Sequence, residues 1–212
     1  MRPYVYTLGP IATADANGIA QAQNPAGAGE LTLNGALVVD GVALLGDARR
    51  VLITAAADES DRTFTITGTD WFGNSISEEI TGPNATTTYT NSDFLTVTSV
   101  VTSGAGSGNI EIGTNDIASS PPMILDYMAR PQVSLQVAVT GTVNWTVQQT
   151  LDNVFNVDEE DIVWLDHSDT NMVAQTVNRQ GNYAFVPFAT RITLNSGTGS
   201  LVYTVIQPLG SA

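Results

Sequence analysis

The sequence contains no cysteine and no lysine, and its one histidine is His167. The missing cysteines exclude a disulfide framework and thiolate metal sites, and they leave the redox compartment open. All seven basic residues are arginine: Arg2, Arg49, Arg50, Arg62, Arg130, Arg179 and Arg191. Against them stand 21 acidic residues, for a formal net charge of −14. Phosphate backbones would repel such a chain, so nucleic acid is not an expected partner, and anionic membranes are disfavoured for the same reason. No apolar run approaches the roughly 18 residues of a spanning helix. The opening Met1-Arg2-Pro3-Tyr4 carries no continuous apolar segment of the kind a signal peptide needs. A protein made in a cytoplasm is expected. Charged residues make up only 13%, against about 25% in typical domains.

With charge scarce, the surface must be polar through Thr, Ser, Asn and Gln. Threonine is also β-branched and suits a solvated strand face. The apolar fraction of 42% is normal, which argues against disorder. A length of 212 residues suffices for one large sandwich or two small domains.

Residues 1–30 read as an extended N-terminal arm, punctuated by Pro3, Gly9, Pro10, Gly18, Pro25, Gly27 and Gly29 and poor in apolar side chains. From 31 onward strand signals dominate. Asn34-Gly35, between Leu31-Thr32-Leu33 and Ala36-Leu37-Val38-Val39, predicts a hairpin. Thr63-Phe64-Thr65-Ile66-Thr67 alternates strictly, which points Phe64 and Ile66 inward, and Asp70 to Asn74 predicts a turn into the partner strand Ser75 to Ile80. Further strands are expected over Val51–Ile53, Phe94–Val101 and Ile110–Gly113. Pro121-Pro122 stops any ladder, so 116–130 reads as a linker.

The second unit, 131–212, opens with Val133, Leu135, Val137 and Val139 at period two. It turns at Thr140-Gly141-Thr142 and continues with Val143, Trp145 and Val147, which predicts a hairpin. Residues 153–176 are looser and acidic. Ile192 and Leu194, then Leu201 to Ile206, supply the closing strands. The expected fold class is all-β: two β-sandwich or jelly-roll-like units, 31–115 and 131–212, behind the arm. Phe64, Ile66, Val133, Leu135, Val137, Trp145, Val147, Ile192 and Leu194 are the expected core.

Candidate chemistry is thin. Asp166-His167-Ser168-Asp169 holds triad residue types, but a triad needs its members to converge from different elements. Asp158-Glu159-Glu160-Asp161 lacks the twelve-residue calcium-loop pattern with its central glycine and reads as a solvated charge run. Glu78 and Glu79 are adjacent on a strand and so face opposite sides, unlike the facing carboxyls of a glycosidase. The glycine-rich stretch 104–108 lacks the lysine and helix of a phosphate loop. No catalytic residue, metal site or cofactor is expected. Trp71 and Phe72 at a turn tip are contact candidates, since aromatic residues are enriched at protein interfaces. Tyr4 and Tyr6 in the arm join them. Arg2, Arg49 and Arg50 are candidates for carboxylate contacts, because arginine forks pair bidentately.

Two stretches resemble sequences of tailed-phage virion structural proteins. The first runs from Leu31-Thr32-Leu33-Asn34-Gly35-Ala36-Leu37 and Ala48-Arg49-Arg50-Val51-Leu52-Ile53-Thr54 through Thr63-Phe64-Thr65-Ile66-Thr67-Gly68-Thr69-Asp70 to Glu78-Glu79-Ile80-Thr81-Gly82-Pro83-Asn84 and Phe94-Leu95-Thr96-Val97. The second runs from Thr142-Val143-Asn144-Trp145-Thr146-Val147-Gln148 through Trp164-Leu165-Asp166-His167 and Gly181-Asn182-Tyr183-Ala184-Phe185 to Val205-Ile206-Gln207. The resemblance implies a non-enzymatic role in a virion assembled from a host cytoplasm. The first expectation is a capsid decoration or cement protein, a homo-oligomer bound to the major capsid protein or other virion proteins. A head–tail adaptor, tail or fibre-base protein is the alternative within the particle, and a carbohydrate-binding module is the alternative outside that class.

Overall fold

The computed structural model describes residues 3–126 and 132–208. Strand makes up 53% of the chain and helix 3%, the helical part being two single 3₁₀ turns, Glu159–Asp161 and Thr170–Met172. The protein is all-β, with large antiparallel sheets.

In chain order the strands are β1 (Tyr4–Leu8), β2 (Ala20–Gln23), β3 (Gly29–Glu30), β4 (Val38–Val39), β5 (Val42–Ala55) and β6 (Thr63–Thr69). They continue with β7 (Ser75–Thr81), β8 (Thr87–Tyr89), β9 (Phe94–Thr102), β10 (Ile110–Ser119), β11 (Met123–Ile124) and β12 (Val133–Thr140). The last are β13 (Val143–Thr150), β14 (Leu165–Asp166), β15 (Arg179–Tyr183), β16 (Ala189–Gly197) and β17 (Ser200–Ile206). They fall into two compact units: Thr13–Asn115, here the central unit, and Met1–Ala12 with Asp116–Ala212, the terminal unit.

In the terminal unit, β1, β17, β12 and β15 pair in that order in one sheet. Strand β16 pairs with β13, with β11 and with Ala118 and Ser119 of β10, and β14 pairs with β13. Both groups of strands feed one core. Leu8, Val133, Leu135, Val137, Tyr183, Leu201, Tyr203 and Val205 meet Val143, Trp145, Val147, Ile192 and Leu194 in it. This is a sandwich: alternate residues of each sheet point into a shared interior.

The alternation of β12 and β13 is as the sequence predicts, but the pairing is not. β12 pairs with β15 and β17, whereas β13 pairs with β14 and β16, so the two strands do not form a hairpin with each other. The turn at Thr140-Gly141-Thr142 carries the chain from one sheet to the other. The passage from β16 to β17 does the same, and the two corners pack together. Backbone N–H groups of Thr198 and Gly199 both donate to the Thr142 carbonyl at 3.0 Å. A Cβ on Gly199 would stand 2.3 Å from the Thr140 carbonyl oxygen, so only glycine allows that approach.

In the central unit, β5, β9, β6 and β7 pair in that order. β6 and β7 form a regular hairpin from Thr63↔Thr81 to Thr69↔Ser75. Strand β5 is 14 residues long, and its start pairs with β9 while its later part, from Leu52, pairs with β8. Ile19, Leu31, Leu45, Val51, Ile53, Phe64, Ile66, Phe94, Val97, Val100, Ile110 and Ile112 make the core.

Several expectations are corrected by the pairing. Asn34-Gly35 is not a hairpin turn. Gly35 donates to the Ile19 carbonyl at 3.0 Å, and a Cβ there would lie 2.2 Å from the backbone of Gly18. The dipeptide marks a close backbone crossing, and the true tight turn joins β4 to β5 at Asp40 and Gly41, both with positive φ. Nor are residues 1–30 a separate arm. β1 pairs along its whole length with β17, from Tyr4↔Val205 to Leu8↔Leu201, and Leu8 is fully buried. β2 pairs with β10 and β3 with β9, while Ile19 and Ala20 are buried in the central core. The segment has few apolar residues, but adding strands to existing sheets lets it share cores built by others. Likewise 116–126 is not a free linker: Ala118, Ser119, Met123 and Ile124 all pair with β16. The expected core residues, from Phe64 to Leu194, are all buried.

Trp145 is fully buried at the centre of the terminal core. Trp145→Ala is expected to cost about 3–5 kcal/mol. Urea unfolding followed by far-ultraviolet circular dichroism checks it, and a loss below about 1 kcal/mol, the size of a surface change, would contradict the packing.

Candidate functional site

The residues expected to make contacts are divided between the two units. Tyr4 and Tyr6 lie on β1 of the terminal unit; Tyr4 is exposed and Tyr6 packs partly against the core. Arg49, Arg50, Trp71 and Phe72 belong to the central unit. Arg2 lies outside the described residues.

Arg49 is a correction. It is only 1% exposed, and its guanidinium donates to the carbonyl of Asn115. The register between β5 and β9 shifts between Leu44 and Arg49, and beside this irregularity both Ala48 and Arg49 face inward. The side chain therefore ties backbone inside the protein and is not presented to a partner. Its charge also pulls the Asp47 carboxyl down, although burial outweighs it and leaves that pKa raised. Arg50 is half-buried, with its guanidinium 5.4 Å from the centre of the exposed Tyr89 ring, a cation–π arrangement.

Trp71 and Phe72 form the turn tip between β6 and β7, and Asp70 fixes it. One Asp70 oxygen accepts from the backbone N–H groups of Phe72 and Asn74, each at 2.8 Å, and the other from the Asn74 amide at 3.0 Å. Phe72 is thereby held out into solvent on a rigid turn.

Other buried carboxylates work the same way. Glu59, fully buried, accepts from the N–H groups of Ser107 at 2.7 Å and Gly108 at 3.0 Å, with the Arg62 guanidinium 3.3 Å from its other oxygen. This explains how the glycine-rich turn is held. Glu78, buried on β7, accepts from Asn91 and Ser92 at 2.7 and 2.8 Å, while Glu79 faces solvent. Backbone N–H groups are strong hydrogen-bond partners for a carboxylate.

His167 does not assemble a triad. Its Nδ1 accepts from the backbone N–H of Asp169 at 3.0 Å, and the Asp169 carboxylate caps the following 3₁₀ turn through Asn171. The imidazole is buried, with its ring centre 4.7 Å from that of Tyr183. Burial lowers its pKa below the usual histidine value, against the opposing pull of Asp169. Behind it, Thr190 Oγ1 lies 2.8 Å from both the Tyr183 and Tyr203 hydroxyls and 2.9 Å from the Gln148 carbonyl. The carbonyl can only accept, so the threonine proton goes there and both tyrosines donate to Thr190. Burial raises both phenol pKa values, so both rings stay protonated as this requires.

Among the described residues, no three His, Asp or Glu side chains gather as a metal site, the acidic stretch from 158 to 169 included. Also among the described residues, no helix is long and apolar enough to cross a membrane. Among the described residues, a depression of about 430 Å³ lies on the outer face of β12, β15 and β17. Ser134, Gln136, Gln180, Asn182, Thr204 and Asp169 line it. No protein-family model and no curated protein matches the chain.

Two further surface features have no clear signal in the sequence. The depression is made by the polar phase of strands whose apolar phase dominates the pattern. The second is a group of exposed apolar residues in the loop after β13, among them Leu151 and Phe155; a loop has no periodicity to betray them.

Thr190→Val is expected to destabilise by about 1–3 kcal/mol for each tyrosine hydroxyl left without a partner. Thr190→Ser, which keeps the hydroxyl, should lose much less; equal losses in denaturant titrations would deny the network its role. A second expectation concerns pH. His167 has a folded pKa below its unfolded value, so the unfolded chain takes up its proton first. Its contribution to stability is complete above about pH 6.5 and is lost as pH falls below that through the folded pKa. His167→Asn should flatten this acid-side loss in melting temperatures measured between about pH 7.5 and 5, on either side of the ordinary histidine pKa. An unchanged slope would rule out His167 as its source.

Proposed function

We propose that the chain is a non-enzymatic structural component of a tailed-phage particle. It sits as a homo-oligomer on the outer surface of the head and holds neighbouring shell subunits together. One observation carries the reading: Arg49, Glu59, Asp70 and Glu78, all buried, are committed to backbone, while buried Arg191 is held by the side chains of Gln148 and Trp164. Arg49, Glu59, Asp70 and Glu78 each fix a turn or a chain crossing, and none of them lines the depression on the outer sheet face. Ionisable groups committed in this way make rigid surface tips for protein contacts and leave little for acid–base chemistry. The likeness of the two long stretches to virion proteins supplies the setting. The negative charge suits a basic partner surface.

Residues 1–30 are not the clamp in this reading, because they are built into the sheets. Deleting 1–25 would remove β1 and β2 and would test folding instead of binding. A second reading, a carbohydrate-binding module, is favoured by the polar depression, whose amide and hydroxyl side chains suit sugar hydroxyls.

The test adds purified protein to heads that lack it. Saturable binding on the order of hundreds of copies per head, with greater resistance of the heads to heat, is expected. Copurification with tails at roughly a dozen copies would move the chain to the head–tail junction or the tail. Indifference to particles together with retention on a polysaccharide column would favour the second reading.

A further inference from the structure

Strand β13 ends at Thr150, and the loop that follows turns its apolar side chains outward. Leu151 is 73% exposed, Phe155 66%, Val163 59% and Leu165 58%. Hydrogen bonds and pairing bring them to one place. The Val163 N–H donates to the Asp152 carboxylate at 2.8 Å, and Leu165 stands opposite Gln149 on β13. The Phe188 N–H donates to the Thr150 carbonyl at 2.9 Å, and the Phe155 ring meets the Phe188 ring edge-on at 6.3 Å.

The exposure does not come from looseness. Asn153 accepts from Phe155 through its side chain and from Asn156 and Val157 through its carbonyl. Ile162 is buried and anchors the middle of the loop, and the Trp164 ring lies under the Arg191 guanidinium at 4.2 Å. A loop fastened at this many points cannot fold over its own apolar groups. Monomeric proteins seldom leave such a group of large apolar side chains in water unless something covers it.

Charge says what covers it. Asp152, Asp158, Glu159, Glu160, Asp161 and Asp166 share this loop, and the sequence has no arginine or lysine between Arg130 and Arg179. A second copy seated face to face would bring two acidic runs together. Nucleic acid and anionic lipid would be repelled. The complement is a protein surface with an apolar pocket and a basic rim.

We infer that the loop 151–166 is the surface by which the chain docks on the shell protein of the particle, its apolar side chains entering a pocket ringed by arginine or lysine. This rests on the head-surface reading above.

The experiment uses shells assembled from the phage's major shell protein alone, with the full-length chain in four forms. These are the wild type, a Phe155→Ser/Leu165→Ser double variant, a D158N/E159Q/E160Q/D161N variant, and Val39→Ser on the exposed face of β4 in the central unit. Melting temperatures confirm folding; the substituted positions are exposed except Glu159, which is half-buried. The double variant is expected to bind shells at least about tenfold more weakly, as for loss of central apolar anchors. The amide variant should associate more slowly and with a flatter salt dependence. Val39→Ser should bind like the wild type. Equal binding by the wild type and the double variant overturns the inference and leaves the head-surface reading intact. Wild-type self-association in sedimentation velocity that the double variant abolishes also overturns it, because a second copy then covers the patch. A wild type that ignores shells removes the head-surface reading, and the docking surface with it.

Discussion

In the terminal unit a single interior must be filled from two sheets by one chain, and that constraint governs the rest. Each time the chain leaves a strand it either returns in the same sheet or crosses to the other. Between β12 and β13, and again between β16 and β17, it crosses. Crossing keeps Val137 and Trp145 pointing at the same core from opposite sides. The consequence is a corner where backbone meets backbone with no room for a side chain, which is why Gly199 sits against Thr140. Once the corners are set, the strands that flank them and the loops that leave their far ends have no freedom of placement. The outward apolar loop after β13 is one result.

Buried polar chemistry obeys a similar constraint. Thr190 satisfies two tyrosines and a carbonyl, and Glu59 holds a turn whose glycines could not hold themselves. A buried polar group without partners would cost more than most single apolar contacts contribute. Thr190 and Glu59 are joined to main chain and to other side chains, and they stiffen the molecule at places where hydrophobic packing alone would leave several conformations.

Strand alternation makes the core legible from the sequence. Phe64, Ile66, Leu135, Val137 and Trp145 announce their inward phase by spacing alone. Alternation carries no record of which strand lies alongside, so β12 and β13 read as partners when they are opposite walls. Arg49 defies its pattern for a related reason: a local slip of register places two consecutive residues inward, and nothing in Ala48-Arg49-Arg50 signals it. Asn34-Gly35 has the residues of a tight turn, yet its glycine is needed for a crossing with a distant segment. The surface is harder still. Asp70 and its turn are recognisable from the residue types, whereas Phe155 and Leu165 sit in a loop where only the folded chain reveals which way they face.

The pairing of β1 with β17 also dictates an order of events during synthesis. The central unit is contained in one uninterrupted stretch and has all its strands once that stretch has left the ribosome. The terminal unit is split around it: β1 precedes the central unit in the chain, and its partner β17 follows it. While the unit encoded between them is made, β1 waits for its partner. Long-range closure of this kind is slow and leaves an edge open to wrong partners.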